Sequence, residues 1–334
     1  MENEVKVSVI IPVYNSAQYL KACLDSVISQ TLKEIEVVIV NDGSTDQSAE
    51  IVREYKKKYP FISYLEQANQ GQGAARNRAL SMAKGKYIYF LDSDDYIDTM
   101  AMKELYDEAE SNNLDLVLFD GIAFIDGDFS GTEEIKFNYQ RNKKYQEILN
   151  GKDFFTRLIS DNNFTPSPCL YFIRKSIVDN CQLRFAEGII HEDELFTFEL
   201  FLCCEKVRHI EKSYFHRRVR PGSTMTNTKH LKSFYGYSIV LSKMLDIYNQ
   251  TSWDQDSVRL AVYRNLGNIY RGAMNKMHSL DSEDRDKARE IIDEIKAIGE
   301  KYHYFNIKAG YLLTYHIALY RLIVSLRDKF LVKS

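Results

Sequence analysis

Apolar positions in the first 120 residues switch repeatedly between two periods. A near-continuous apolar run over 5–11 predicts a buried strand. Over 17–30, Leu20, Cys23, Leu24, Val27 and Ile28 return at helical spacing. A second strand is predicted over 36–40 and a helix over 45–59, whose opening Ser44-Thr45-Asp46-Gln47 matches a capping box. The alternation continues with strands over 62–65, 87–91 and 114–119 and helices over 73–83 and 99–111. Unbroken apolar strands separated by helices predict an α/β fold, with a mostly parallel sheet covered on both faces.

Past residue 120 the texture changes. Asp126-Gly127-Asp128 and the polar stretch 131–144 read as an exposed insertion. A helix over 154–159, a strand over 170–173, a helix over 194–204 and a strand over 210–215 follow. From residue 229 the pattern is helical, with a break near 279–284. These shifts place one domain at 1–225 and a helical C-terminal region at 226–334, suited to acceptor, oligomer or membrane contact.

Composition narrows the classes. Hydrophobic residues at 45% and charged residues at 27% are ordinary for a globular protein. A net charge of −3 gives no drive toward nucleic acid. Cys23, Cys169, Cys181, Cys203 and Cys204 lack metal-site spacing, which predicts a reduced, cytoplasmic protein. The acidic start and the short apolar run 7–13, broken by Pro12, predict neither a signal peptide nor a membrane span.

Candidate chemistry gathers at strand ends. The strand over 87–91 runs into Asp92-Ser93-Asp94-Asp95. In an extended chain residues i and i+2 project to one side, so Asp92 and Asp94 can converge on a cation. Hard oxygens suit Mg²⁺ or Mn²⁺, which keep positions open for water and phosphate. The same residues also suit a solvated turn. Pro12, Tyr14 and Asn15 end the first strand and Asp42 the second, on the carboxyl rim where open parallel sheets bind ligands. Asn41-Asp42-Gly43 is equally a tight-turn sequence. Gly71-Gln72-Gly73-Ala74-Ala75-Arg76-Asn77 opens a helix with small residues but matches neither a Walker loop nor a dinucleotide fingerprint. Arg76 puts a fixed cation beside this rim, or is a solvated helix charge.

The segments Val7-Ser8-Val9-Ile10-Ile11-Pro12-Val13-Tyr14-Asn15, Val40-Asn41-Asp42-Gly43-Ser44-Thr45-Asp46, Gly73-Ala74-Ala75-Arg76-Asn77 and Leu91-Asp92-Ser93-Asp94-Asp95 together resemble family 2 inverting glycosyltransferases of the GT-A fold. The match covers roughly residues 5–100. It resumes at His191-Glu192-Asp193-Glu194-Leu195-Phe196 and Phe215-His216-Arg217-Arg218. The resemblance implies that Asp42 contacts the uracil of a UDP-sugar and that Pro12, Tyr14 and Asn15 line the nucleotide pocket. Arg76 would sit near the base or diphosphate. Asp92, with Ser93, would reach the ribose or the metal, and Asp94 would hold the Mn²⁺ or Mg²⁺ that bridges the phosphates. His216 and Arg217 would cover the diphosphate or complete the metal shell. Asp193 would be the general base, with Glu192 as the alternative, although acids at a helix start also gain about 0.3–1 kcal/mol from the dipole.

What the resemblance implies overall is metal-dependent transfer of one sugar from a UDP-sugar to a hydroxyl of a glycan or lipid-linked acceptor, in bacterial surface polysaccharide synthesis. The QxxRW motif of processive members is missing, since the single tryptophan lies in Thr251-Ser252-Trp253-Asp254. The basic amphipathic pattern over 311–326 fits peripheral contact with the inner face of the plasma membrane, packing on neighbouring helices, or a homodimer contact. Two other readings are a sugar-nucleotide-binding scaffold without turnover and a nucleotidyltransferase. The latter wants a Gly-rich basic loop where Val13-Tyr14-Asn15-Ser16 stands. An aspartyl phosphatase would carry its acidic pair on the first strand, and an EF-hand would need glycine where Ile97 stands.

Overall fold

The computed structural model describes residues 4–125, 139–219 and 230–301. The expected turn at 126–128, most of the polar insertion, the Arg220-Pro221-Gly222-Ser223 loop and the 311–326 amphipathic segment lie outside the described residues.

The first half alternates as expected: β1 (Val7–Val13), α1 (Ala17–Ile28), β2 (Ile35–Asp42), α2 (Ser48–Lys58), β3 (Ile62–Gln67), α3 (Gln72–Leu80), β4 (Tyr87–Phe90), β5 (Tyr96–Ile97) and α4 (Ala101–Ser111). Next come β6 (Leu116–Ile125), α5 (Gly151–Ser160), β7 (Tyr171–Arg174), α6 (Lys175–Asn180), α7 (Glu192–Cys203) and β8 (Val207–Val219). Four helices close the described chain: α8 (His230–Gln250), α9 (Asp256–His278), α10 (Ser282–Lys287) and α11 (Arg289–Lys301). Every residue of β1 and β2 is buried, which is why their apolar runs show no alternation.

One sheet takes all eight strands in the order β3-β2-β1-β4-β7-β6-β8-β5. Pairs β1–β2, β1–β4, β2–β3 and β6–β8 are parallel. Pairs β4–β7, β6–β7 and β5–β8 are antiparallel, so the sheet is mixed. Short β7 wedges between β4 and β6, a placement that local periodicity does not encode. The expected strand over 114–119 continues to Ile125, because irregular pairing around Asp120 carries it past Gly121 rather than ending it. Asp120 is buried there, with Arg141 Nη1 at 2.9 Å and His209 Nε2 at 3.0 Å from its carboxylate. A side chain at Gly121 would come within 2.8 Å of the Phe215 ring.

The expected capping box does not form. Helix α2 starts at Ser48, and the Asp46 carboxylate accepts from the amides of both Ser48 (3.0 Å) and Ala17 (2.9 Å). One side chain therefore caps two helix starts, because the first two strand-end loops lie side by side.

Contacts divide the chain into two units. The first runs to Thr228 and includes Ile247–Val262. The second holds Lys229–Asp246 and the chain from Tyr263 onward. In the second, Phe234, Val240, Leu241 and Met244 of α8 are buried, as are Leu266, Ile269 and Ala273 of α9. No helix among the described residues is long and apolar enough to cross a membrane.

Candidate functional site

The loops that follow β1 and β2 hold each other. Asn15 takes a left-handed backbone (φ +47°), which asparagine tolerates better than most residues. Its side-chain oxygen accepts from the Thr45 amide at 2.8 Å, and its own amide donates to Ser44 Oγ at 3.0 Å. Pro12 is buried opposite Val40, whereas Tyr14 stands 51% exposed at the rim. Asp42 is buried and organises the connection into α3. Its Oδ1 accepts from Gln67 Nε2 (2.8 Å) and the Gln70 amide (2.9 Å), and its Oδ2 from the Gly71 amide (2.8 Å).

The carboxylate run after β4 is a turn. The Asp95 amide donates to the Asp92 carbonyl at 3.1 Å, so the side-to-side alternation of an extended chain does not apply there. Any convergence of Asp92 and Asp94 comes from the turn. Asp92 Oδ1 accepts from Gln72 Nε2 (2.7 Å) and Arg76 Nη2 (2.8 Å). Ser93 is buried and Asp94 half-buried. Burial first, then the charges of Asp94 and Asp92, pushes the Asp95 carboxyl well above the usual range.

Arg76 is not a solvated helix charge. Its side chain is 3% exposed, and its second nitrogen, Nη1, donates to Glu192 at 2.9 Å. The guanidinium also lies 5.1 Å from the Phe185 ring centroid. Desolvation disfavours its charge, but Asp92 and Glu192 more than offset this and hold it ionised.

At β8, successive side chains face opposite ways. Arg218 grips the carboxylate turn. Its amide donates to Asp95 Oδ1 (2.7 Å) and its Nε to the Asp94 carbonyl (2.9 Å). Arg217 donates to the Tyr139 hydroxyl and stacks on that ring. His216 stacks on Tyr96 at 4.5 Å, with its Nε2 2.8 Å from Asp98 Oδ1.

Helix α7 opens with three acids. Glu192 is buried and tied to Arg76, whereas Asp193 is half-buried and caps its own helix by accepting from the Glu194 amide at 3.1 Å. Burial raises all three carboxyls: Asp193 against the pull of Arg76, Glu192 to about 7 and Glu194 to about 8. Because the folded state binds the Glu194 proton more tightly than an unfolded chain does, this group's contribution to stability is full below pH 4.5 and is lost as pH rises through about 8. Glu194→Gln is accordingly expected to reduce the fall in unfolding free energy between roughly pH 5 and 9, followed by urea titration, by on the order of 1 kcal/mol. An unchanged pH profile would remove Glu194 from this account.

Among the described residues, no group of three or more His, Cys, Asp or Glu side chains could hold a metal ion. The turn nevertheless fits a hard divalent cation. Its donor atoms are oxygens, three carboxylates among them, and its crowded negative charge is the state that a cation relieves. Mg²⁺ and Mn²⁺ also commonly take one or two carboxylates and complete their shell with phosphate and water. Gln72, Asn77, Asp95, Phe185 and Arg218 belong to this constellation beyond the residues expected from sequence.

The chain matches the family model for glycosyl transferase family 2 over residues 8–180. It is 32% identical over 263 residues to the glycosyltransferase GlyA of Streptococcus pneumoniae, covering 78% of this chain but only 37% of GlyA. It is 29% identical over 314 residues to the cholesterol galactosyltransferase of Borreliella burgdorferi, covering 89% of this chain and 85% of that one. A crystal structure of S. aureus TarS 1–349 in complex with UDP-GlcNAc shares the fold, with a TM-score of 0.67 at 23% identity over 87% of this chain and 80% of TarS 1–349. The family match takes in more than half of the sequence, including every strand-end loop of the first sheet half, and the chain belongs to glycosyltransferase family 2.

Proposed function

We propose that the protein is a metal-dependent inverting glycosyltransferase that moves one hexosyl or N-acetylhexosaminyl group from a UDP-sugar to a hydroxyl of a glycan or lipid-linked acceptor, in bacterial surface polysaccharide synthesis. One observation carries this: buried Arg76 forms ion pairs with both Asp92 and Glu192, joining two acidic motifs 100 residues apart in sequence into one site. UDP-GlcNAc in TarS and the galactosyl donor in the name of the Borreliella relative support a UDP-hexose class.

In this reading Asp42 and the loop it organises, with Pro12, Tyr14, Asn15 and Ser93, receive the nucleoside. Asp92 and Asp94 would hold the divalent cation, which supplies Lewis-acid stabilisation of the leaving diphosphate. Arg218 grips the same turn through Asp94 and Asp95, and His216 and Arg217 on the same strand are the groups that would cover the diphosphate. Glu192 is committed to Arg76, which leaves Asp193 to take the acceptor hydroxyl proton. The acceptor oxygen then attacks the anomeric carbon as its bond to UDP breaks, and UDP leaves with the electron pair. The basic 311–326 segment and the helical C-terminal region are proposed to serve the acceptor, the membrane face or a second copy.

The test is UDP release from a panel of UDP-glucose, UDP-galactose and UDP-N-acetylglucosamine, with Mn²⁺ or with EDTA, for wild type and Asp94→Ala. Slow hydrolysis of one donor, lost with EDTA and in the variant, is expected. Silence across the panel, with no metal-dependent UDP binding, would overturn the proposal.

A further inference from the structure

Three residues of α3 fall at positions i, i+3 and i+4, hence on one helix face: Gly73, Arg76 and Asn77. All three meet the segment 185–192 that leads into α7. A side chain at Gly73 would lie 2.9 Å from the Ala186 carbonyl oxygen and 3.2 Å from Glu192 Cγ, so only glycine permits this approach. Arg76 reaches Glu192 and the Phe185 ring. Asn77 makes the most specific contact. Its Nδ2 donates to the Phe185 carbonyl and to Glu187 Oε1, each at 2.9 Å, and its Oδ1 accepts from the Phe185 amide at 2.9 Å.

The clasp sits at a decisive point. Phe185 stacks on Phe196 of α7 at 4.0 Å and meets Phe90 of β4 edge-on at 5.2 Å. Between Phe185 and α7 the chain passes two left-handed positions, Gly188 (φ +75°) and His191 (φ +69°), in a segment without helix or strand. Such a segment needs outside partners to hold one course. We propose that Asn77 is a positioning residue: by clasping Phe185 and Glu187 it sets where α7 begins, and therefore where Asp193 stands relative to the Asp92–Asp94 turn. Donor turn and acceptor base are thereby built on opposite sides of one helix face. This inference rests on the reading of Asp193 as the base. A displacement of about 1 Å at a reacting group can cost about 10²-fold in rate.

The experiment uses the full chain with Mn²⁺ and whichever UDP-sugar the wild type hydrolyses, water serving as the acceptor probe. UDP release gives the rate, and calorimetric titration with UDP gives donor-site affinity. Asn77→Ala is expected to lower the release rate at least about tenfold, with UDP affinity within about threefold of wild type. Asn77→Asp keeps the acceptor for the Phe185 amide but turns its second oxygen on two other acceptors, the Phe185 carbonyl and the Glu187 carboxylate, and is expected to lose about as much. Combining it with Glu187→Gln reverses the donor–acceptor pair and should recover part of the rate, a rescue available even if the alanine variant fails to fold. An unchanged rate in Asn77→Ala, or UDP affinity falling in step with rate, would overturn the inference while leaving the transferase reading intact. A wild type that neither binds UDP nor releases it would overturn that reading and the positioning role with it.

Discussion

Asp193→Asn is expected to lower sugar transfer by about 10²–10⁴-fold while UDP binding stays within a few-fold of wild type. The substitution keeps size and keeps the side-chain oxygen that accepts from the Glu194 amide, so the helix start survives. What it removes is the capacity to take a proton. Burial holds the Asp193 carboxyl above the ordinary carboxylate range, the direction a general base needs to work near neutral pH. The matching Glu192→Gln change should behave differently. Its main consequence is that Arg76 keeps a hydrogen bond but loses one of its two counter-charges, read as lost stability rather than a pure rate effect. Initial rates set beside UDP titrations separate the two. Near-normal transfer by Asp193→Asn would give the base role to another residue.

Arg76→Met should destabilise the fold by about 3–5 kcal/mol, the usual consequence of removing one partner from a buried ionic network. Two carboxylates share this guanidinium, Glu192 on Nη1 and Asp92 on Nη2, and Glu192 would lose its cation in a poorly solvated place. The loss should grow as pH rises through about 7, where Glu192 gives up its proton, and shrink in acid. Arg76→Lys should rescue little, because a single ammonium cannot reproduce the fork that addresses two partners along separate N–H vectors. Urea unfolding at two pH values checks both statements. A loss under about 1 kcal/mol would mean that the carboxylates are solvated and the bridge is a surface pair.

The first sheet half was readable because its strands are buried on both faces and its helices carry apolar stripes, so periodicity alone separates them. Asp42, Asp92 and Arg76 were readable because strand ends in such a sheet point to one rim. The mixed sheet was not: nothing in Tyr171–Arg174 says that it will enter between β4 and β6, since that depends on pairings 53 to 87 residues apart. The hold that Arg218 has on the Asp94–Asp95 turn was not readable for a related reason, since it depends on how β8 lies against a turn more than 120 residues earlier. Asn77 was passed over although it lay inside a quoted motif. Its spacing from Gly73 and Arg76 marks a shared helix face, but the partner segment is visible only in three dimensions.

Among the described residues the two-residue strand β5 pairs with β8 alone, with Tyr96 opposite His216, 120 residues later. At a synthesis rate of about 5–20 residues per second, that partner leaves the ribosome roughly 6–24 s after Tyr96 does. Through that interval Asp95 and Asp98 lack the strand that later grips them, and before residue 192 is made Arg76 has only one of its two carboxylates. The nascent chain thus carries the strand-end loops of β1, β2 and β4 long before it carries the acids that open α7. A copy cut short before residue 192 lacks one of the two carboxylates that hold Arg76, a dependence that arises from chain order alone.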